Sequence, residues 1–153
     1  MVKLWLTLSD GSYPMANIII QASSRYPVHR GSIKAIVHTV LSQQNIIQEI
    51  EVEINIIGDR KMAQLNWKYM RHQGTTDILS FPLEEGFSYE KSNLGLKIDT
   101  FVNYPDNITR LGTIFISYPQ TRRQANEHKL TVDEELNRLV EHGLLHLLGI
   151  HHE

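Results

Sequence analysis

The chain has 153 residues, 41% of them hydrophobic, which is enough for one domain with a buried core. It contains no cysteine, so disulfides and thiolate metal ligands are excluded, and its net charge of −2 excludes a globally basic nucleic-acid binder but not a local basic patch. No stretch approaches the roughly 18 apolar residues of a membrane span, and the start of the chain does not match a secretory signal. These features predict a cytoplasmic protein with a single domain over residues 1–153.

Hydrophobic periodicity and turn residues predict the order of the helices and strands. Residues 49–57 alternate acidic and apolar side chains, as in a half-buried strand, and Asp59 is predicted to cap the helix that follows. Thr131 and Glu134 form a capping box before the last helix. The predicted segments are an arm over 1–14, strands over 15–21, 49–57, 75–82 and 111–117, helices over 31–44, 59–71, 121–128 and 131–148, and a polar loop over 84–109. This order predicts an α+β fold, a small mixed sheet packed with helices around a central C-terminal helix.

Histidines near the end of the chain form its most informative pattern. His142 and His146 are four residues apart, so both imidazoles lie on one face of a helix, one turn apart. Gly149 can end that helix in a left-handed turn, which would bring His152 back towards the other two. Three imidazoles leave one coordination position open, as in a catalytic zinc site. The pattern predicts that His142, His146 and His152 hold one Zn²⁺ per chain.

Other interpretations of this pattern stay open. The metal could instead be structural, with a fourth ligand, or the tract could have adventitious affinity; nickel and copper also suit three imidazoles. A zinc peptidase is disfavoured, because the metzincin motif has Glu after its first His and this chain has Gly143. Glu141 would point about 100° away from His142 and is a poor substitute.

Three linked motifs resemble the YbeY family, the single-strand-specific endoribonucleases of rRNA maturation. The family signature H-G-x-L-H-L-x-G-x-D-H is similar to HGLLHLLGIHH at residues 142–152. The family motif T-D-V-L-S-F-P and the residues before it are similar to residues 65–82, which end in TDILSFP. The family strand L-G-D-I-x-I-S is similar to LGTIFIS at residues 111–117. The matches run in the family's order from about residue 50 to the end.

The resemblance implies an α+β fold of zincin-like character, zinc bound by His142, His146 and His152, and Arg71 as the basic residue of the active-site cleft. The implied function is metal-dependent cleavage of single-stranded RNA in rRNA processing and ribosome maturation. Its implied partners are rRNA and the small ribosomal subunit, with no membrane and no DNA. Attack by water at the metal and attack by the ribose 2′-hydroxyl are both open. The alternatives are a zinc-stabilised, ribosome-associated RNA-binding factor without catalysis and, less favoured, a zinc peptidase.

The chain departs from the family pattern at two positions. His151 stands where the family has Asp, which puts a fourth imidazole beside the site. Thr113 replaces the Asp of the strand motif and so removes a carboxylate expected to support the site. Relatives typically continue past the position of Glu153, so His152 is expected to be held less firmly than in them.

Four residues of the middle region have two interpretations each. Arg71 either binds an RNA phosphate through a bidentate contact or complements the dipole at a helix C-terminus. Trp67 and Tyr69 either stack nucleobases or pack inside the protein. Asp77 either orients a ligand histidine or begins a strand.

Overall fold

The structure is a computed structural model that describes residues 16–83 and 108–150. Its element order confirms the predicted α+β fold, although the predicted arm over 1–14, nearly all of the predicted loop over 84–109, and His151 and His152 lie outside the described residues. No helix in the described part of the chain is long and apolar enough to cross a membrane. The elements are β1 (Ala16–Ala22), α1 (Arg30–Gln43), β2 (Ile50–Ile57), α2 (Asp59–Leu65), a π-helical turn (Asn66–Met70), β3 (Ile78–Pro82), β4 (Thr109–Ser117), α3 (Tyr118–His128) and α4 (Val132–Leu147).

The four strands form a mixed sheet in the order β1-β2-β4-β3. The pairs β1–β2 and β2–β4 are parallel, whereas β3 pairs antiparallel with β4 and lies at the edge. The alternation predicted for β2 is confirmed, because Val52 and Ile54 are buried in the main core while Glu51 and Glu53 lie on the other face. The sheet therefore has an inner face, which packs against α1 and α4, and an outer face.

Helix α4 is the central helix that the sequence predicts. Its capping box is present, with the Thr131 hydroxyl accepting from the Glu134 backbone N–H and the Glu134 carboxylate accepting from the Thr131 N–H. Half of the helix is buried, and Val140 and Leu144 are fully inaccessible to solvent within the main core. The helix contacts α1, α3, β3 and β4. The backbone of α4 is therefore held in place by the core, including the positions that carry its exposed side chains.

The predicted helix cap at Asp59 is wrong. The cap residue is Gly58, and Asp59 is the first residue inside α2. Its Oδ1 instead accepts hydrogen bonds from the hydroxyls of Ser117 (2.8 Å) and Thr75 (3.0 Å), and its Oδ2 accepts from Arg123 Nη2 at 2.8 Å. Burial raises the pKa of Asp59, but these hydrogen bonds outweigh that effect and lower the pKa. Asp59 thus joins α2 to the end of β4 and to α3. These partners are distant in sequence, so a local sequence pattern does not predict them.

A buried carboxylate joins α3 to α4. The side chain of Glu135 is 0% exposed, and it accepts from Arg138 Nη2 at 2.7 Å and Arg138 Nε at 3.2 Å. Its Oε2 also lies 3.1 Å from Nδ1 of His128, the last residue of α3. The hydrogen bond with Arg138 is the largest influence on the pKa of Glu135 and lowers it, against the effect of burial, which raises it.

This cluster predicts a dependence of stability on pH. A carboxyl whose pKa is lower in the folded than in the unfolded protein stabilises the fold above its unfolded pKa, and this stabilisation is lost as the pH falls through the folded pKa. We therefore expect Glu135→Gln to lower the free energy of unfolding at pH 7, and the difference from wild type to shrink as the pH falls below 4.5, the ordinary pKa of Glu. Urea unfolding between pH 7 and pH 3 measures this. Glu127→Gln, at an exposed position of α3, is the control, and an equal change in both variants would contradict the prediction.

Candidate active site

His142 and His146 come together on the exposed side of the last turns of α4. Their Nε2 atoms are 3.0 Å apart and their ring centroids are 4.4 Å apart, with the ring planes at 66°. Two nitrogens that share one tetrahedral zinc ion at 2.0–2.1 Å lie about 3.3 Å from each other. The separation in the structure is close to that value, so the pair fits two adjacent coordination positions of one ion.

The end of α4 confirms the left-handed turn predicted at Gly149. The φ angle of Gly149 is 77°, its N–H donates to the carbonyl of His146 (3.0 Å), and the N–H of Ile150 donates to the carbonyl of Leu145 (2.9 Å). This pair of bonds is the Schellman arrangement, which satisfies the last carbonyls of a helix and reverses the chain. The reversal begins three residues after His146. His152 comes two residues after Ile150 and lies outside the described residues, so its role as third ligand stays a prediction.

No group of three potential metal ligands forms among residues 16–83 and 108–150. The described residues therefore supply two of the three predicted ligands, His142 and His146, as an adjacent pair. The composition of the chain limits what can complete the site, because without cysteine the further ligands must be nitrogen or oxygen donors.

Gly143 lies where α4 packs closely against the sheet. A Cβ atom at this position would lie 2.7 Å from Ile78 Cδ1 and 3.1 Å from both Ile114 Cγ2 and Ser80 Oγ. Real Cβ atoms essentially never come within 3.0 Å of such neighbours. The general base of a zinc peptidase is a glutamate at this position, and even its Cβ atom would require Ile78 and its neighbours to shift. The structure thus supplies a steric reason against the peptidase alternative.

The edge strand β3 has the histidine helix on one face and the π-helical turn on the other. Ser80 lies against Gly143 of α4, whereas the next residue, Phe81, points to the outer face and contacts the ring of Tyr69 with a centroid distance of 5.0 Å. Arg71 follows the π-helical turn directly, with a left-handed φ of 56°. The segment that carries Arg71 and the helix that carries His142 are therefore both anchored to the same short strand.

Comparison with known proteins identifies the family. A family model described as Endoribonuclease YbeY matches residues 19–153. A protein of Dehalococcoides mccartyi (strain CBDB1), named Endoribonuclease YbeY, is 39% identical over 139 residues, which cover 90% of this chain and 81% of the relative. The chain belongs to the endoribonuclease YbeY family. A YbeY protein of Sulfurihydrogenibium sp. (strain YO3AOP1) is 32% identical over 121 residues, covering 79% of this chain and 68% of that protein.

The family assignment confirms the resemblance drawn from the three motifs, and a solved structure supports the fold. The solution structure of a Thermotoga maritima protein matches with a TM-score of 0.53 over 91% of this chain and 75% of that chain, at 22% identity. At that identity the likeness concerns the fold alone. The family assignment thus rests on the sequence comparisons, and the fold of the chain is shared with a solved structure.

Hydrogen bonds and strand alternation show the surroundings of two positions noted for the YbeY motifs. Asp77 Oδ2 accepts from Gln124 Nε2 at 3.1 Å and its backbone carbonyl accepts from the Ser117 N–H at 2.9 Å, which favours its role at the start of β3. Thr113 precedes Ile114, whose side chain faces α4, so Thr113 lies on the outer face, where it lines a cavity with Glu53. A carboxylate at position 113 would therefore lie on the outer face of the sheet, whereas α4, which carries His142 and His146, packs on the inner face.

The π-helical turn is the part of the site that sequence reasoning missed. Asn66, on the buried face of the predicted helix, is 5% exposed, and its Nδ2 donates to the carbonyl of Gly74 at 3.0 Å. The N–H of His72 donates to the carbonyl of Asn66, which is six positions earlier in the chain. A polar side chain among the apolar positions of a helix was the available signal that the helix is irregular there. Such π-helical turns occur frequently at functional sites.

The packing at Gly143 predicts an unusual response to alanine. Gly→Ala inside a helix normally stabilises it by about 1 kcal/mol, but overpacking a tight interface costs about 1–3 kcal/mol. We expect Gly143→Ala to lower the free energy of unfolding and Gly31→Ala to leave it unchanged or raise it. Gly31 is the matched control in α1, since its nearest contact would be an ordinary 3.4 Å to His29 Cε1. Chemical denaturation of both variants measures this, and equal stabilisation of the two would refute the close approach at Gly143.

Proposed function

We propose that this protein is a metal-dependent endoribonuclease that cleaves single-stranded RNA. The observation that carries the proposal is the pair of Nε2 atoms of His142 and His146, 3.0 Å apart, at the exposed end of the core helix of a YbeY-family chain. The relatives that share most of the chain's length are named endoribonucleases. The resemblance to that family extends the proposal to rRNA as substrate, to the small ribosomal subunit as partner, to ribosome maturation as the process and to the cytoplasm as the compartment.

The metal of the proposal is one Zn²⁺ per chain. His142 and His146 would hold it through Nε2, with His152 as the third ligand, delivered by the chain reversal at Gly149. Neutral imidazoles leave the full charge of the ion in place, and when bound it would stabilise negative charge that develops on a phosphate. Because both histidines belong to a helix whose backbone is fixed by the core, the positions from which their side chains extend do not depend on the metal.

Arg71 is proposed as the phosphate-binding residue of the active site. Its guanidinium is exposed, and its planar fork can bind two oxygens of one phosphate, which a lysine ammonium cannot do with the same geometry. Its backbone is held by a hydrogen bond from its N–H to the carbonyl of Trp67 at 3.1 Å. This bond, together with the contact between Tyr69 and β3, fixes the backbone from which the Arg71 side chain extends. That backbone lies beside β3, the edge strand that also contacts α4.

Elemental analysis of the purified protein tests the metal proposal. We expect one zinc per chain in the wild type and in His151→Ala, and loss of the metal in His142→Ala, His146→Ala and His152→Ala. His151→Ala is the matched control, since it removes a neighbouring imidazole. Metal loss in His151→Ala with retention in His152→Ala would move the third ligand by one residue. A wild-type protein with no tightly held metal would refute the zinc site.

RNA cleavage assays test the catalytic proposal. We expect the wild type to cut single-stranded RNA, to spare duplex RNA and to leave an unfolded protein intact. His146→Ala should abolish cleavage, and Arg71→Ala should lower kcat/KM by about 100-fold or more, as is typical when a donor that stabilises transition-state charge is removed. Arg25→Ala, at an exposed position in the turn after β1, is the control.

Two outcomes would replace this proposal. If Arg71→Ala and Arg25→Ala behaved alike, Arg71 would be only a cation at the end of a helix. If the wild type bound RNA without cutting it, and chelation of the metal unfolded it, the alternative of a non-catalytic, zinc-stabilised RNA-binding factor would be correct.

A further inference from the structure

The π-helical turn presents large aromatic and cationic side chains to solvent. Trp67 is 50% exposed and Tyr69 is 54% exposed, and Met70 beside them is 48% exposed. Lys68 and Arg71 are exposed between and after them. We call these five residues the π-turn surface. Several large exposed apolar side chains in one short turn indicate an interaction site more than a single exposed apolar residue does.

Each aromatic ring of the π-turn surface has a cation beside it. The Arg71 guanidinium carbon lies 5.8 Å from the centroid of the Trp67 ring, and Lys68 Nζ lies 5.1 Å from the centroid of the Tyr69 ring. Both distances are within the range of cation–π attraction, which is about 6 Å. A flat group that stacks on either ring would therefore have a positive charge next to it. An aromatic ring next to a cation is complementary to a nucleotide, because the planar base of a nucleotide is joined to an anionic phosphate.

The ring of Tyr69 is held in place by the sheet. Tyr69 packs on Phe81 of β3 at 5.0 Å, and Phe81 packs edge-on against Phe115 of β4 at 5.8 Å. The hydrogen bond from Asn66 Nδ2 to the Gly74 carbonyl fixes the loop that follows. Rings whose positions are set before binding lose little conformational entropy when a ligand arrives. The position of the Tyr69 ring is thus set by the fold before a ligand binds.

The charge around the π-turn surface favours a polyanion. Residues 60–76 contain four cations, Arg60, Lys61, Lys68 and Arg71, and no Asp or Glu, although the whole chain has a net charge of −2. A protein partner that offers only acidic groups would leave the aromatic faces unused. Single-stranded nucleic acid fits both features, because its phosphates meet cations while its unpaired bases stack on aromatic side chains. Duplex RNA does not expose the faces of its internal bases.

We propose that Trp67 and Tyr69 are a base-stacking platform for single-stranded RNA, with Lys68 and Arg71 contacting the phosphates of the stacked nucleotides. The inference rests on the proposed function and deepens it. It assigns the preference for single strands to residues outside the metal site. Because the π-turn surface and the histidine helix flank the same strand, a strand of RNA held on the platform passes beside β3.

The tryptophan content of the chain gives a direct test. The chain has two tryptophans, Trp5 and Trp67, so a Trp5→Phe protein reports the environment of Trp67 alone by fluorescence. We expect a 12-nucleotide single-stranded RNA to quench this fluorescence in a saturable, salt-sensitive manner. The same RNA annealed to its complement should quench it at least ten times less at equal concentration.

Substitutions then separate stacking from general attraction. Loss of one base–aromatic stack typically weakens binding by about 5-fold to 150-fold, so Trp67→Ala should raise the KM for single-stranded RNA by that factor and leave kcat unchanged. Trp67→Phe should recover most of the affinity because it keeps an aromatic face. Ile47→Ala is the control, because Ile47 is 72% exposed and lies outside the π-turn surface. Circular dichroism of each variant verifies the fold.

The outcomes distinguish this inference from the proposed function. Cleavage of RNA without quenching of Trp67, and with an unchanged KM in Trp67→Ala, would refute the platform and leave the endoribonuclease proposal intact. Quenching by single-stranded RNA without cleavage would support the platform and refute the catalytic proposal. Equal quenching by single-stranded and duplex RNA would also refute the platform, because it would show that only phosphates are recognised.

Discussion

The close approach of α4 to the edge of the sheet is the contact on which the site depends. Helix α4 fills the core with its apolar residues and presents the imidazoles of His142 and His146 on its exposed side. Gly143, adjacent to His142, removes the one side chain that would hold α4 away from Ser80 and Ile78. The same glycine that makes the contact possible also removes the glutamate on which a zinc peptidase depends. The residue at position 143 thus affects both the packing of α4 on the sheet and the presence of a peptidase general base.

The alternation of a β-strand explains how two different kinds of surface meet within a few residues. Ser80 and Phe81 are neighbours in β3 and point to opposite faces, so the first contacts the histidine helix and the second contacts Tyr69 of the π-helical turn. Strand β3 lies at the edge of the sheet and has one strand neighbour, β4. Strand β3 therefore has the helix that carries the two histidines on one face and aromatic rings with cations on the other.

Local signals predicted most of the fold and part of the site. The order of elements, the capping box at Thr131 and the left-handed turn at Gly149 depend on residues a few positions apart, and all three are confirmed. The failures involve partners far along the chain. Asp59 was expected to cap its own helix, but donors 58 and 64 residues away use its carboxylate. The sequence also did not predict the burial of Glu135 or the close packing at Gly143, because both arise only when the helices pack against each other and against the sheet.

The acidic net charge of the chain is compatible with RNA binding because of where the carboxylates are. Three of them are paired with arginines of this chain: Asp59 with Arg123, Glu51 with Arg110, and Glu135 with Arg138. None of these pairs falls within residues 60–76, where four cations occur without an acidic residue. Charges farther apart than the Debye length, about 8 Å at physiological ionic strength, hardly affect each other at the surface. A polyanion at the π-turn surface therefore meets the local positive charge, and the net charge of −2 does not predict its affinity.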